Sequence, residues 1–278
     1  MHDGSNWHST LQLRYAMRDL RCVDDARHDG AVRVLAALRP EGDDVCHHVL
    51  VHPPGGLVGG DRIDIALRVE RGAHALLTTP GATRFYRSLG APAVQTVDAV
   101  LEPGARLEWL PLEAIAYDGC IGRNTSRFVL QPGAEMIGWD LLALGLPAAD
   151  APFVHGELTQ HVEIPGIWLE HGRIAADDRA LRHAPGGLAG ASALATLWFA
   201  CGEALPEARA QALLDVARAA IDASGIDAGA TQAQPQVVVV RALGNRVEPL
   251  QQLLRTIWAA WRVLGWQRPP CAPRVWRT

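Results

Sequence analysis

The chain has 278 residues, of which 49% are hydrophobic and 20% charged, and its formal net charge at pH 7 is −4. This composition is typical of a globular protein with a sizeable core, and the acidic balance argues against a nucleic-acid-binding face. No apolar run is long enough to predict a membrane span, and the N-terminal segment lacks the basic and apolar regions of a secretory signal.

The five cysteines are scattered along the chain and odd in number. They form no CxxC pair, so the sequence does not indicate a structural zinc site. This usage predicts reduced thiols in a cytoplasmic protein rather than a disulfide framework.

Most of the first 175 residues are predicted to form β-strands. Alternating apolar residues indicate strands around Leu11–Tyr15, Val45–Val51 and Ile63–Val69. Two further strands, separated by the turn dipeptide Pro-Gly, are predicted over Leu158–Ile164 and Ile167–Ile174.

A glycine-rich segment, HPPGGLVGGD, lies between the second and third of these strands. A phosphate loop would end in Gly-Lys-Ser/Thr, whereas this segment ends in Asp61, whose charge would repel a phosphate. We interpret it as a rigid turn that presents one carboxylate toward a cation path.

A loose repeat runs through the middle of this β-rich region. The turn sequences ERGA, EPGA and QPGA recur with their glycines 32 and then 29 residues apart. Each precedes a distinctive segment: TTPGATRFYRS, LPLEAIAYDG and WDLLALGLP. The pattern predicts stacked β-units that bring the three segments to one side of the molecule. Three unrelated hairpins with a common turn sequence are the alternative.

The C-terminal third is predicted to contain two helices. One covers Glu207–Asp222 and stops at Gly225. The other opens at Pro249, carries apolar residues at helical spacing, and ends at Gly265.

A buried strand is predicted over Gln236–Arg241, and Ala223–Gln234 is predicted to be a surface loop. No linker divides the chain. We therefore predict a single domain over residues 1–278, with a β-rich part over 10–200 and a helix-containing part over 201–278.

Cys46, His48 and His52 form a short group of possible metal ligands. A thiolate and imidazoles suit nickel or zinc. On a strand, Cys46 shares a face with His48, and His48 with His52. The sequence leaves open a weak metal contact or a buried cysteine with hydrogen-bonded histidines.

Asp61, Asp140 and Glu170 are carboxylates in apolar or glycine-rich surroundings. A buried acid is costly unless it is paired or hydrogen-bonded. Either arginines neutralise these acids, or they line a polar passage for a divalent cation, which oxygen ligands suit.

Arg84, Tyr86 and Arg87 form a basic and aromatic cluster in the segment TRFYRS. Guanidinium groups pair well with carboxylates. The two arginines are therefore predicted either to neutralise the three acids or, with the tyrosine, to contact a protein partner.

The sequence contains neither a GxSxG elbow nor an HExxH motif, so we predict a protein without catalytic activity. The alternative is a metal-dependent hydrolase on a β scaffold, with Cys46, His48 and His52 as its metal ligands.

Five segments in a fixed order resemble the UreD (UreH) family of urease accessory proteins: RPEGDDVCHHVLVHPPGGLVGGD, LLTTPGATRFYRS, LEWLPLEAIAYDG, GWDLLALGLP and CAPRVWRT. The resemblance covers roughly Leu11 to Thr278. It implies a mainly β fold of stacked, β-helix-like sheets with two α-helices in the C-terminal third.

The resemblance also implies a function. UreD-like proteins are cytoplasmic urease-maturation chaperones that bind the urease apoprotein and recruit UreF and, through it, the nickel-carrying GTPase UreG. Nickel would then be in transit and GTP would be bound to the partner GTPase, so that this chain would hold no permanent cofactor.

Within the resemblance, Asp61 in GGD, Asp140 in GWD and Glu170 in WLE match the acidic lining of a polar nickel tunnel. One departure lies around Glu113, where family members commonly carry Gln and Thr. This chain has Leu112 and Ala114 there, which argues against an essential role for those side chains.

Overall fold

The computed structural model describes residues 6–277, so the first five residues and Thr278 of the predicted domain lie outside it. Two β-sheets face each other, and two long helices cover the outer face of the larger sheet. The predicted mainly β fold, with stacked sheets and helices in the C-terminal part, is confirmed.

Across the described residues, the strands in chain order are β1 (His8–Arg18), β2 (Arg21–Asp29), β3 (Arg33–Val34), β4 (Val45–Val51), β5 (Arg62–Val69), β6 (His74–Thr78), β7 (Thr83–Phe85), β8 (Ala93–Leu101), β9 (Arg106–Leu110), β10 (Ala114–Ala116), β11 (Cys120–Leu130), β12 (Glu135–Leu146), β13 (Ala151–Pro152), β14 (Gly156–Ile164), β15 (Trp168–Ala175), β16 (Ala193–Cys201), β17 (Asp227–Gln234) and β18 (Val237–Gly244). The α-helices are α1 (Arg179–His183), α2 (Glu207–Ser224) and α3 (Val247–Trp266). None of them combines the length and hydropathy needed to cross a membrane.

The smaller sheet has the strand order β15-β14-β11-β8-β5-β1-β2. Its five central strands run parallel, and an antiparallel strand closes each edge. The larger sheet has the main order β17-β18-β16-β12-β9-β6-β4-β3, with β7, β10 and β13 beside this path. The strands predicted from alternation all form, each within two or three residues of its predicted ends.

The repeat is a stack of three coils. The glycines of the three turns, Gly72, Gly104 and Gly133, all have positive φ angles between 70° and 77°. A Cβ on Gly133 would lie 3.5 Å from the Gly104 backbone nitrogen, and a Cβ on Gly104 would lie 3.8 Å from that of Gly72. The turns therefore lie directly on one another. The prediction of stacked β-units is confirmed, and unrelated hairpins are excluded.

The stacking also brings the three distinctive segments together. Strand β10 pairs in parallel with β7 on one side and with residues 142–144 of β12 on the other. The expectation that the segments gather on one side of the molecule is therefore confirmed.

Two apolar layers hold the fold together. One lies between the sheets, and the other lies between the larger sheet and helices α2 and α3. Helix α3 buries the apolar face that its spacing predicted: Leu250, Leu253, Leu254, Ile257, Trp258 and Trp261. Burying side chains of this size contributes about 1.5–3 kcal/mol each, so this face anchors the helix.

The bounds of α3 differ from the prediction. The helix begins at Val247 and continues through Gly265 to Trp266, and Gln267 adopts the left-handed conformation that ends it. A Cβ on Gly265 would lie 2.8 Å from the Phe199 ring. This glycine therefore allows close packing on the sheet rather than stopping the helix. The predicted stop of α2 at Gly225 is confirmed, with a φ angle of 67°.

The predicted surface loop over Ala223–Gln234 is wrong. Helix α2 extends to Ser224, and Asp227–Gln234 forms the edge strand β17, which pairs antiparallel with β18. Backbone hydrogen bonds define this strand. Its mostly exposed residues are small or polar, so it carries no strong apolar alternation.

A buried ionic network fastens α3 to the larger sheet. Arg262, which is fully buried, contacts Glu41 at 2.6 Å and Glu108 at 3.3 Å. Glu108 also accepts a 2.6 Å hydrogen bond from the Trp258 indole and lies 2.8 Å from His74 Nε2. Each buried carboxylate thus has a cation and a further polar partner, which buried charges require.

Candidate functional site: a polar passage between the sheets

A row of amides crosses the inner face of the smaller sheet. Gln95, Asn124 and Gln160 lie on the adjacent strands β8, β11 and β14 and are in register with one another. By strand alternation, Gln95 shares its face with the core residues Ala93 and Val97. The Gln95 amide donates a 3.2 Å hydrogen bond to Asn124 Oδ1. The interior of the sandwich is therefore polar at this level.

A second polar row faces it from the larger sheet. Asp140, Thr196 and Arg241 lie in register on β12, β16 and β18. The Gln160 amide donates a hydrogen bond to Asp140 Oδ2 across the gap. Glu170 on β15 accepts a 2.8 Å hydrogen bond from Arg241 and a 3.4 Å hydrogen bond from the Thr196 hydroxyl. Polar contacts thus join the two sheets where a continuous apolar core would otherwise lie.

Asp140 is the least compensated charge in this region. Burial and the nearby negative charge of Glu170 raise the pKa of Asp140 to about 7, while the hydrogen bond from Gln160 acts in the opposite direction. This carboxyl group is therefore close to half ionised near neutral pH. Arg241 forms an ion pair with Glu170. Asp140 and Glu170, which we call the acidic pair, therefore share one guanidinium between two carboxyl groups.

Two adjoining cavities lie along this polar interior. The larger one, about 160 Å³, is lined by His52, Gly55, Arg84 and Gln95, among others. The smaller one, about 20 Å³, includes Asp140 and shares four wall residues with the larger one: Thr83, Gln95, Trp109 and Pro111. A volume of this size holds about one water or ion. The larger cavity therefore lies against the glycine-rich turn at His52 and Gly55, and the smaller one lies against Asp140.

The smaller cavity has polar and apolar surroundings: Asp140 lines it, and Gln160 is hydrogen-bonded to Asp140. Within residues 6–277, the buried Gln160 Oε1 has no hydrogen-bond partner, which leaves an acceptor oxygen beside Asp140. Leu112 and Ala114 also line this cavity. The departure from the family pattern around Glu113 therefore places apolar side chains on the wall of the passage.

Asp61 lies at the end of the glycine-rich turn and has a structural role. Its buried carboxylate accepts hydrogen bonds from the backbone N–H groups of Val58, at 2.9 Å, and Trp7, at 3.5 Å. Its charge also acts on His52, whose pKa is lowered by burial and raised by Asp61, with burial dominant. Asp61 thus closes the glycine-rich turn and acts on the larger cavity through His52.

The glycines of this turn are required by close packing. A Cβ on Gly56 would lie 2.4 Å from the Tyr86 ring, and one on Gly59 would lie 2.1 Å from Ser88 Oγ. The Leu57 N–H donates a backbone hydrogen bond to the Arg84 carbonyl, and the Tyr86 N–H donates one to the Leu57 carbonyl. The two glycine-rich and basic stretches of the sequence therefore form one interlocked unit.

The basic cluster does not neutralise the predicted acids. Arg84 donates a 3.3 Å hydrogen bond to the Gly55 carbonyl, and the exposed Arg87 packs beside Gly119. The Tyr86 ring packs at a tilt against that of Tyr117, with ring centroids 4.8 Å apart. Glu170 is the one predicted acid that pairs with an arginine in the described chain, and its partner is Arg241.

The three predicted metal ligands, Cys46, His48 and His52, do not lie together. Cys46 and His48 approach each other and Asp24 on the inner face of β4. His52 lies beyond the end of that strand, where its ring is 4.9 Å from that of Trp7. The three ligands of the hydrolase hypothesis are therefore not assembled around one point.

Several residues of the passage were missed in the sequence. Gln95 and Gln160 carried a usable signal, because each occupies an inward position in a strand that is otherwise apolar on that face. The pairing of Glu170 with Arg241 had no local signal, since 71 residues separate them.

Comparison with known proteins gives a consistent result. A family model described as UreD urease accessory protein matches residues 8–277. The urease accessory protein UreD of Paracidovorax citrulli (strain AAC00-1) is 56% identical over 272 residues, which are 97% of this chain and 99% of the relative. The proteins of the same name from Polaromonas naphthalenivorans (strain CJ2) and Variovorax paradoxus (strain S110) are 53% and 52% identical, over 97% and 98% of this chain and 99% and 100% of the relatives.

Proposed function

Since this chain belongs to the UreD family of urease accessory proteins, with a role in urease maturation, we propose that it is a non-enzymatic scaffold for nickel delivery. In this role it binds the urease apoprotein and recruits UreF and, through it, the GTPase UreG. The observation that carries the proposal is the family match across residues 8–277. GTP is bound by the partner GTPase, and the assembly works in the cytoplasm.

Nickel passes between the two sheets in this proposal. The support is chemical: Asp140 and Glu170 supply carboxylate oxygens, and Gln160 supplies an unpaired amide oxygen beside them. Borderline cations accept such ligands. An ion that is held by only a few of them leaves more readily than an ion in a complete coordination cage. The passage therefore suits an ion in transit.

The glycine-rich turn contributes to the same path through the larger cavity. The larger cavity opens toward His52, whose buried Nε2 has no hydrogen-bond partner among residues 6–277. Burial keeps this imidazole neutral, and a neutral imidazole is a nickel ligand. Asp61 contributes its charge and the shape of the turn.

Arg87 is the member of the basic cluster that we assign to partner contact. Its side chain is exposed, whereas Arg84 is committed to the Gly55 carbonyl and Tyr86 to Tyr117. A guanidinium at a partner surface pairs well with carboxylates. Copurification of co-expressed UreF should therefore fall with Arg87→Glu and persist with Arg18→Glu, an exposed arginine on β1. Failure of the unaltered chain to copurify with UreF at low salt would contradict the scaffold role.

The nickel path has a separate test. Asp61→Ala and Asp140→Ala should each lower urease activation while the complex with UreF still forms. Loss of the complex would indicate misfolding, which copurification detects independently. Full activation by the double variant would remove the path from the proposal and leave the scaffold role intact.

A further inference from the structure

A second cluster of metal-ligating side chains lies at the edge formed by β1, β2 and β4. Cys46 and His48 are two positions apart on β4, and Cys22 and Asp24 are two positions apart on β2, so each pair shares a strand face. Cys22, Cys46 and His48 are buried, while the Asp24 side chain is 26% exposed. Solvent therefore reaches the cluster from the side of Asp24.

The ligand atoms of three of these residues converge. One oxygen of Asp24, the Cys46 sulfur and one nitrogen of His48 all lie within 4.8 Å of one another. The His48 Nε2 atom is 3.6 Å from Asp24 Oδ2, which is too long for a hydrogen bond. Two such ligands on one tetrahedral ion lie about 3.3 Å apart, so a shift of a few tenths of an ångström would allow both to bind it.

Neighbouring groups orient the His48 ring and keep it neutral. The Tyr15 hydroxyl lies 2.7 Å from His48 Nδ1 and fixes the ring, which leaves Nε2 directed at Asp24. A polar partner on the second ring nitrogen is the usual support of a metal-bound histidine. Burial lowers the pKa of His48 despite the opposing charge of Asp24, so the imidazole is neutral, as a metal ligand must be.

We propose that Asp24, Cys46 and His48 bind a divalent transition-metal ion of the zinc, nickel and cobalt class, with an open fourth position. A thiolate, an imidazole and a carboxylate form the mixed donor set that these borderline ions accept. The site is distinct from the passage, whose described lining residues include no cysteine, and it does not depend on the proposed role in urease maturation.

Binding requires the Cys46 thiol to lose its proton, so the ion replaces an S–H bond with an S–metal bond and releases one proton to solvent. A hydrogen bond to the Cys22 sulfur, together with burial, raises the pKa of Cys46 and keeps the thiol protonated in the free protein. Arg39 donates a 3.1 Å hydrogen bond to Asp24 Oδ1 and leaves Oδ2 toward His48. The positive charge of Arg39 lowers the affinity of the site for a divalent cation.

The test is a Co²⁺ titration of the full-length protein after treatment with a chelator. We expect a sulfur-to-cobalt charge-transfer band in the unaltered protein and its loss in Cys46→Ser. Cys120→Ser is the matched control, because this cysteine is also buried but its sulfur hydrogen-bonds to the Glu157 carbonyl, outside the cluster, and it should keep the band.

Two conservative variants guard against misfolding. Asp24→Asn alters a partly exposed position, and Tyr15→Phe removes only the hydroxyl that positions His48; each should weaken Co²⁺ binding about 10–100-fold, with an unchanged circular dichroism spectrum. The absence of a charge-transfer band in the unaltered protein would overturn the proposal. So would a band that survives Cys46→Ser, or Co²⁺ affinity unchanged by both conservative variants.

Discussion

Charged groups lie against both faces of the larger sheet, buried on the helix face and half-buried on the inner face, and the two groups are built differently. On the helix face, Arg262 lies between Glu41 and Glu108, and each carboxylate has a further polar partner. On the inner face, Asp140 has an amide partner and lies near a second acid, Glu170. The first group is electrostatically complete, whereas the second has an excess of negative charge.

This difference separates structure from function. A compensated buried network holds elements in place, and breaking it is costly because a charge is left unpaired. An acid that is largely removed from water without a compensating cation costs stability and therefore indicates another role. Asp140 is such an acid, and it lies between the sheets in the passage that we propose for the nickel ion.

The largest expected effect is on the helix face. Arg262→Met leaves Glu41 and Glu108 without their shared cation and should lower the free energy of unfolding by about 3–5 kcal/mol. Urea denaturation measures this change. Arg246→Gln at the start of the same helix removes an exposed ion pair and should cost less than about 1 kcal/mol. Equal losses in the two variants would contradict the distinction.

On the inner face, Asp140→Asn should raise the free energy of unfolding instead of lowering it. The folded-state pKa of about 7 lies above the ordinary value of 3.8, so the stability contribution of Asp140 is present below pH 3.8 and is lost as the pH rises through 7. The variant should therefore gain stability, from under about 1 kcal/mol at pH 4 to at most about 4 kcal/mol above pH 7.

Denaturation at several pH values checks this gain. Asp118→Asn is the contrast, because hydrogen bonds from Val154 and His155 outweigh the effect of burial and lower the pKa of Asp118. That variant should lose stability at neutral pH. A pH-independent effect of Asp140→Asn would refute an ionised, uncompensated acid in the passage.

Gln160→Leu should sharpen the same contrast. It removes the hydrogen bond to Asp140 and should raise the pKa of that carboxyl group further, with a loss of about 1–3 kcal/mol at pH 8. The pH dependence of stability reports the shift. Gln95→Leu removes a hydrogen bond to Asn124 instead. It should therefore leave unchanged the pH at which stability falls with the ionisation of Asp140.

The smallest effect concerns His74 in the compensated network. Burial lowers the pKa of His74, although Glu108 acts against this, so its stability contribution is present above pH 6.5 and is lost as the pH falls. His74→Gln should flatten the acid-side slope of stability by at most about 1.4 kcal/mol per pH unit. An unchanged slope between pH 5 and 6.5 would show that His74 does not titrate on unfolding.

The sequence predicted the periodic parts of this architecture well. Alternation located the strands, and the recurring turn glycines predicted the stack, because a positive φ angle repeats in each coil. It failed at Asp227–Gln234, where strand pairing depends on the backbone alone. It also missed the ionic network, since Arg262 and Glu41 are 221 residues apart and meet only after α3 packs on the sheet.

For the site, the sequence identified the residues but not their relations. It named Asp140 and Glu170, which the fold brings close together, and Cys46 and His48, which converge with Asp24. It could not show that Asp61 binds backbone N–H groups, because that contact depends on the local path of the glycine-rich turn. Whether these residues contact nickel remains a prediction.

Nickel binding by the acidic pair tests the central claim most directly. Equilibrium dialysis at pH 7.5 would compare Cys46→Ser, which lacks the separate thiolate site, with the same protein carrying Asp140→Asn and Glu170→Gln. Glu163→Gln on the outer face of β14 is the control. We predict that the acidic pair accounts for one bound Ni²⁺, which the double substitution removes and the control keeps. Equal nickel binding in all three proteins would contradict a cation path between the sheets.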